Sequence, residues 1–162
     1  MFQITTSPID TDALRRRAAD DTCGAVVVFD GLVRNHHQGK AVSALAYEHH
    51  PIMAQPEGEK ILQEVHDKFP ITHAIAVHRV GDVPIGEPAV VTIASASHRA
   101  EAFAACQYLI DEIKHRVPIW KYETYTDGSS VYTEQCAGCS ARAHQHDSPV
   151  DDRFSLPSFL IK

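Results

Sequence analysis

Three observations predict an α+β fold with antiparallel sheets. The run GAVVVFDGLV at 24–33 is β-branched and almost unbroken, as in a strand buried on both faces. Ala102, Phe103, Cys106, Leu109, Ile110, Ile113 and Val117 recur at three- and four-residue steps, the spacing of an amphipathic helix. Pro118 stops that helix. Ile119 to Tyr125 then alternates aromatic or β-branched residues with Lys121 and Glu123, the pattern of a strand with one polar face. Strands and helices therefore intersperse, in a chain of 162 residues that is long enough for one domain with a sizeable core.

Taken in order, Phe2 to Thr5 is a short strand, and Ile9 to Ala19 is a helix with Asp10 or Thr11 near its N-cap and Leu14 and Ala18 inward. Within the run 24–33, Gly31 marks a bulge or a close backbone approach. RNHHQGK at 34–40 is a polar loop with too many ionisable groups for a simple turn, so it borders a site. Val42 to His49 is the partner of the preceding strand, which makes a hairpin whose loop carries Arg34, Asn35 and His36. Glu57 to Phe69 is helical, with Pro56 at its first position and Pro70 ending it. Thr72 to Val80 and Ala89 to Ala96 are strands joined by the turn-rich GDVPIGEP. A central helix at about 98–116 follows, and Ser130 to Thr133 closes the core. The expected domain is 1–134. Residues 135–162 are polar, proline-bearing and aperiodic, and are expected to form a flexible tail.

With 44% apolar and 22% charged residues the composition is that of a soluble globular protein. A formal charge of −6 argues against nucleic acid or an acidic membrane as partner, so any anion site must be a local patch. The N-terminus lacks a basic start with an apolar run behind it, and no stretch approaches eighteen apolar residues, so a cytoplasmic location is expected. Cys23 and Cys106 lie in apolar segments and read as reduced core thiols. Cys136 and Cys139 with His144 and His146 could supply four zinc ligands. The step from Cys139 to His144 is shorter than in common zinc fingers, however, and no compact fold surrounds the cluster. No metal or cofactor is therefore expected, and a non-enzymatic metal-binding or regulatory module built on that cluster stands as the alternative function. A phosphate-ester hydrolase has no support, since P-loop, G-x-S-x-G and H-E-x-x-H motifs are all absent.

The candidate chemistry gathers around the central helix. His98 and Arg99 open it, where free N–H groups attract anions, and Lys114, His115 and Arg116 close it. Lys114 and Lys121 flank the corner between helix and strand, with Trp120 between them. A lysine near a helix C-terminus is usually a solvated charge. Two lysines with an upstream His-Arg pair suit an anionic substrate better. Crowding among cations would disfavour the charged amine and leave some neutral lysine for proton transfer. Arg34, following an apolar strand, offers five fixed donors for bidentate phosphate capture, or else pairs with Asp30 or Glu48. His98 has a capping role beside Ser97 open to it as well. His36 and His37 read as solvated loop histidines.

The segments GLVRNH at 31–36, SHRAEAF at 97–103 and PIWKYE at 118–123 resemble the catalytic large subunit of molybdopterin synthase, the MoaE family. The resemblance covers roughly residues 3–133. It implies a hammerhead-like α/β fold with an additional small sheet, and a sulfurtransferase that converts cyclic pyranopterin monophosphate to molybdopterin by installing the dithiolene sulfurs. It implies a small ubiquitin-like sulfur-carrier partner with a C-terminal Gly-Gly thiocarboxylate, and a heterotetramer around a central homodimer. It also implies that Leu32 and Val33, through backbone groups, and Arg34 line the pterin pocket. His98 and Arg99 would contact substrate, Lys114 and Lys121 would act at the reaction centre, and Tyr122 and Glu123 would flank the second lysine. The chain departs from the family near its end, where the tryptophan expected near Val131 or Tyr132 and a basic residue behind it are missing. Arg142 is a poor substitute for that contact, because the tail around it is unanchored.

A length adds one expectation. His98 and Lys114 stand sixteen residues apart, roughly 24 Å along a straight helix, which one small ligand cannot bridge. If both serve one pocket, a two-fold dimer must bring the helix N-terminus of one subunit to the lysine corner of the other.

Overall fold

The computed structural model describes residues 1–133. The expected tail at 135–162, with Cys136, Cys139, Arg142, His144 and His146, lies outside the described residues.

The elements run β1 (Phe2–Thr5), α1 (Thr11–Ala18), β2 (Ala25–Leu32), β3 (His36–His37), β4 (Lys40–His49), α2 (Ala54–Lys68), β5 (His73–Arg79), β6 (Gly81–Asp82), β7 (Pro88–Ala96), α3 (Arg99–Arg116), β8 (Ile119–Tyr125) and β9 (Ser130–Thr133). The α1 cap is Asp10, whose carboxylate accepts from Ala13 N–H at 2.8 Å, and Leu14 and Ala18 are its buried residues, as expected. Helix α2 begins at Ala54, three residues before its expected start, because Pro56 has no N–H to lose in a first turn where N–H groups are unpaired anyway.

Four strands form the main sheet in the order β1-β5-β7-β2. Helix α1 covers one face, where Leu14 and Ala18 meet Ile75, Val77, Val91 and Ile93. Helices α2 and α3 cover the other, where Ile61, Val65, Leu109 and Ile113 pack against Ala74, Ala76 and Ala94. Central β5 and β7 are accordingly buried on both faces. Strand β2 lies at the sheet's edge and is only half-buried, which corrects the doubly buried position expected for it. Gly31 does sit at a bulge against β7, where a Cβ would come within 2.6 Å of Val90 Cγ1. One pair also departs from the antiparallel expectation. Strand β1 runs parallel to β5, with Phe2 opposite Ala76, because the intervening chain crosses back over the sheet. The Phe2 ring fills the space beside Gly58 of α2, where a Cβ would come within 2.3 Å of it.

A second sheet carries β3-β4-β8-β9, with β6 also on β4. Here the sequence expectation fails for β4, which pairs antiparallel with β8 rather than with β2. The polar loop turns away from β2 and makes its own small hairpin, β3 on the start of β4. The turn-rich connector at 81–88 likewise contributes β6, paired with Ala46 and Tyr47. Val33, Leu45, Val83 and Ala89, with Tyr47 against them, form the apolar joint between the sheets.

Helix α3 runs uninterrupted for eighteen residues, Arg99–Arg116, starting one residue after the expected 98 because His98 is its N-cap, and Ala102, Cys106, Leu109, Ile110 and Ile113 face the core. Phe103, placed in the same stripe by spacing, is 60% exposed. The end of α3 is tied to α2 by Arg116, which donates to Glu57 at 2.7 Å and to both oxygens of Glu64 at 2.6 and 3.0 Å. That tie sets where the last turn, and Lys114 in it, stands. Among the described residues no helix is long and apolar enough to cross a membrane.

Candidate active site

Strand alternation decides which residues of β8 look inward. Lys121, Glu123 and Tyr125 share one face and Trp120 and Tyr122 the other. Tyr122 is exposed, packs its ring against Tyr132 at 5.5 Å and donates to Ser130 Oγ at 2.6 Å. It therefore stands on the opposite side of the sheet from the lysine beside it.

Glu123 is a carboxylate only 2% exposed. Its Oε1 stands 2.7 Å from Lys121 Nζ, while Oε2 receives His37 Nδ1 at 2.6 Å and the Tyr125 hydroxyl at 2.8 Å. Burial alone would raise its pKa, but hydrogen bonds from Lys121, Tyr125 and His37 outweigh burial and hold it below the usual carboxylate range. Its hydrogen bond to the Tyr125 hydroxyl raises that phenol in turn. The neighbour of Lys121 is thus a carboxylate, not the cluster of cations expected from the sequence. The physical reason is the two-residue period of β8, which puts residues 121 and 123 side by side.

Lys114 is exposed in the last turn of α3, its Nζ 5.7 Å above the Phe29 ring of β2. Beside it lies His78 of β5, buried, with Nδ1 2.9 Å from the Arg79 carbonyl. A carbonyl only accepts, so Nδ1 carries the proton and Nε2 the lone pair. Burial lowers the His78 pKa to about 4; the bond to Arg79 offsets part of that fall, and the charges of Lys114 and His49 add to it. The His78 ring meets Tyr47 edge-on at 5.0 Å, and Tyr47 stands directly opposite Lys121 across the β4–β8 ladder. Tyr47 thus bridges His78 and the ladder position of Lys121, while Lys114 acts on His78 through its charge.

Arg34 follows Val33 of the inter-sheet joint and is exposed, making no ion pair with a described residue. The two carboxylates considered for it are engaged elsewhere. Asp30 accepts from Thr11 Oγ1 at 3.2 Å, and Glu48 accepts from the Tyr132 hydroxyl. The free backbone expected at Val33 is absent. Its N–H donates to Glu87 O at 3.0 Å and its C=O accepts from Gly86 N at 2.8 Å, as buried peptide groups require. Leu32 instead presents its side chain, 54% exposed.

His98 and Arg99 do not join this group. They are exposed at the far end of α3 from Lys114, and His98 occupies the N-cap position without capping through its side chain. Sequence reasoning missed His37, Tyr47 and His78. Glu123 supplied a signal for the first, because a carboxylate on an inward position of a strand must find partners. Among the described residues no group of three or more His, Cys, Asp or Glu is placed to hold a metal ion.

The site is thus carried by a mixed α+β scaffold in which Arg34 and Lys114 make no ion pair with a described residue and Lys121 is held by a buried carboxylate. The family model described as MoaE protein matches residues 4–116, and the chain belongs to that family. It is 39% identical over 132 residues to the molybdopterin synthase catalytic subunit of Nostoc sp., a span of 81% of this chain and 80% of that protein. Molybdopterin synthase from Staphylococcus aureus superposes with a TM-score of 0.76 at 38% identity, over 82% of this chain and 96% of that one. A protein–protein complex of subunits 1 and 2 of molybdopterin-converting factor from Helicobacter pylori contains a similar fold. Its TM-score is 0.67 at 24% identity, over 82% and 90% of the two chains. The function read from the sequence, catalytic subunit of molybdopterin synthase, is the one by which the close relatives are named. The alternative of a metal-binding or regulatory module has no support among them.

Proposed function

We propose that this chain is a sulfurtransferase. It takes sulfur from the thiocarboxylated C-terminus of a small ubiquitin-like subunit and transfers it to cyclic pyranopterin monophosphate, forming the dithiolene of molybdopterin. Family membership supports the substrate class, and the complex of two subunits from Helicobacter pylori supports a small partner. The observation that carries the chemistry is Lys121, held at 2.7 Å by the buried carboxylate of Glu123.

In this reading Arg34 captures the phosphate, its fork of donors being free of partners among the described residues. Lys114 and Lys121 stabilise the oxyanion charge that develops as the thiocarboxylate sulfur adds to an electrophilic carbon of the substrate, and they carry protons as water then cleaves the acyl–sulfur bond, leaving sulfur on the substrate and a carboxylate on the partner. Leu32 gives the pterin an apolar edge. His98 and Arg99 reach the same pocket only from a second subunit, because one uninterrupted helix separates them from Lys114 by roughly 24 Å. The working assembly is then a homodimer with two shared sites and a small subunit for each, a heterotetramer located in the cytoplasm. Residues 1–134 form its catalytic domain and 135–162 an appended tail. Two sulfurs require two charged partner tails, so the partner interface must release as well as bind.

The test is reconstitution. The chain incubated with cyclic pyranopterin monophosphate and a thiocarboxylated partner yields the dithiolene product, and the same mixture with Lys114→Ala yields none. A wild-type chain that binds the partner without forming product would overturn the reading.

A further inference from the structure

His37 reaches Glu123 from a loop 86 residues away in sequence, and an unusual turn delivers it. Strand β3 is only His36–His37, and it pairs with Lys40 and Ala41 across the two-residue turn Gln38–Gly39. Both turn residues have positive φ, 49° and 80°, the pair of left-handed conformations that matches the twist of a tight hairpin. Gly39 adopts this freely. At Gln38 the Cβ opposes it, at about 1–2 kcal/mol. The hairpin is therefore held against a local preference, and the His37–Glu123 bond is a contact that holds it.

The carboxylate divides its work between its two oxygens. Oε1 faces Lys121 alone, while Oε2 accepts from both His37 and Tyr125. An ionised carboxylate has nothing to donate, so the imidazole presents Nδ1–H to it. Two donors on Oε2 hold the orientation of the carboxylate, and through Oε1 that orientation sets the position of Lys121 Nζ. The same loop carries Arg34, three residues before His37, and Val42 N–H bonds to Asn35 O at 2.9 Å to hold the loop's base.

We infer that His37 is a positioning residue of the transfer reaction: through Glu123 it orients Lys121, and it ties the loop bearing Arg34 to that lysine. The inference rests on the reading of Lys121 as a reacting group. It assigns a role to a histidine that by its sequence context is an ordinary loop residue.

The test compares His37→Leu, which keeps bulk but removes the donor, with His37→Asn, whose side-chain N–H falls where Nδ1–H was. Circular dichroism checks that both fold, and His37→Ala replaces the leucine variant if it does not. His37→Leu is expected to lower kcat roughly ten- to a hundredfold, the scale of a slightly misplaced reacting group, with KM for the pterin changed less than about twofold. His37→Asn restores most of kcat. In a Lys121→Ala background the leucine substitution adds no further loss, since its effect passes through that lysine. Independently of turnover, limiting acetic anhydride followed by peptide mass spectrometry reads the reactivity of Lys121, with exposed Lys60 as internal reference. Labelling of Lys121 rises severalfold in His37→Leu and returns in His37→Asn. A leucine variant that turns over and labels like wild type overturns the inference, as does an asparagine variant as impaired as leucine. If wild-type protein makes no dithiolene, the proposed function fails while the labelling still decides whether His37 positions Lys121.

Discussion

Lys121 and Glu123 stand on one face of β8 with Nζ and Oε1 2.7 Å apart, and the carboxylate is the more buried partner of the two. Removing the lysine leaves a buried negative charge that, among the described residues, keeps the His37 and Tyr125 donors. Lys121→Ala is therefore expected to lower stability by about 1–3 kcal/mol, besides impairing sulfur transfer. Lys114 is exposed, with its Nζ over the Phe29 ring and no ion pair to a described residue, so Lys114→Ala should stay within about 0.5 kcal/mol of wild type while abolishing product formation. Urea unfolding midpoints beside reconstituted turnover separate the two lysines. A Lys114 variant with near-normal turnover would remove it from the reaction.

Arg34→Ala is expected to act on affinity. A phosphate anchor holds ground state and transition state alike, so KM for the pterin should rise with kcat little changed. Loss of the anchoring charge-assisted bonds corresponds to roughly tenfold or more in KM. Steady-state kinetics check this, and a pure kcat defect would speak against the assignment.

The buried histidine gives a pH dependence whose sign is fixed. His78 titrates near pH 4 in the folded protein and near its ordinary 6.5 when unfolded, so the unfolded chain takes up the proton first as pH falls. Its contribution is complete above about pH 6.5, declines towards pH 4 and levels off below that. Between pH 6.5 and pH 5 the loss comes to roughly 1.5 kcal/mol. Glu123, with its folded-state pKa lowered, contributes a separate loss as pH drops below the usual carboxylate range. Urea titrations at several pH values should show the first decline in wild type and a flatter curve in His78→Asn, which has no proton to gain. Parallel curves would count against a neutral buried imidazole.

Helix α3 tests the shared site. Arg99→Ala and Lys114→Ala lie at opposite ends of it, and each is expected to be inactive as a homodimer. Mixed after dissociation they should recover part of the activity, because one site of the heterodimer carries neither lesion. Subunit exchange shown by mass, with activity still absent, would mean that each site is built within one chain.

What the sequence made legible follows from what periodicity encodes. Helices α1 and α3 and strands β1, β7, β8 and β9 could be placed because caps, prolines and repeat spacing are local signals. The partner of β4 could not. Alternation marks a strand and its inward face, but carries nothing about which edge it meets, and β4 meets β8 some eighty residues on. Phe103 failed for a geometric reason: it is next to Ala102, about 100° away around the helix, and lies at the margin of a stripe whose centre Ala105, Cys106 and Leu109 occupy. At the site, Arg34, Lys114 and Lys121 were visible as residue types at telling places. The pairing of His37 with Glu123 was not, since only the fold brings a loop and a strand so far apart in sequence within 2.6 Å.

The parallel pairing of β1 with β5 has a consequence in time. Phe2 is made before its neighbour in the ladder, Ala76, which follows 74 residues later (76 − 2). At translation speeds of about 5–20 residues per second, that gap lasts roughly 4–15 seconds. Through that interval the hydrogen-bonding groups of β1 face no strand of their own sheet, and the seat beside Gly58 that takes the Phe2 ring is itself still being assembled. Whatever holds the β1 segment in those seconds, a chaperone or the tunnel itself, works on a strand that has no partner until β5 is made.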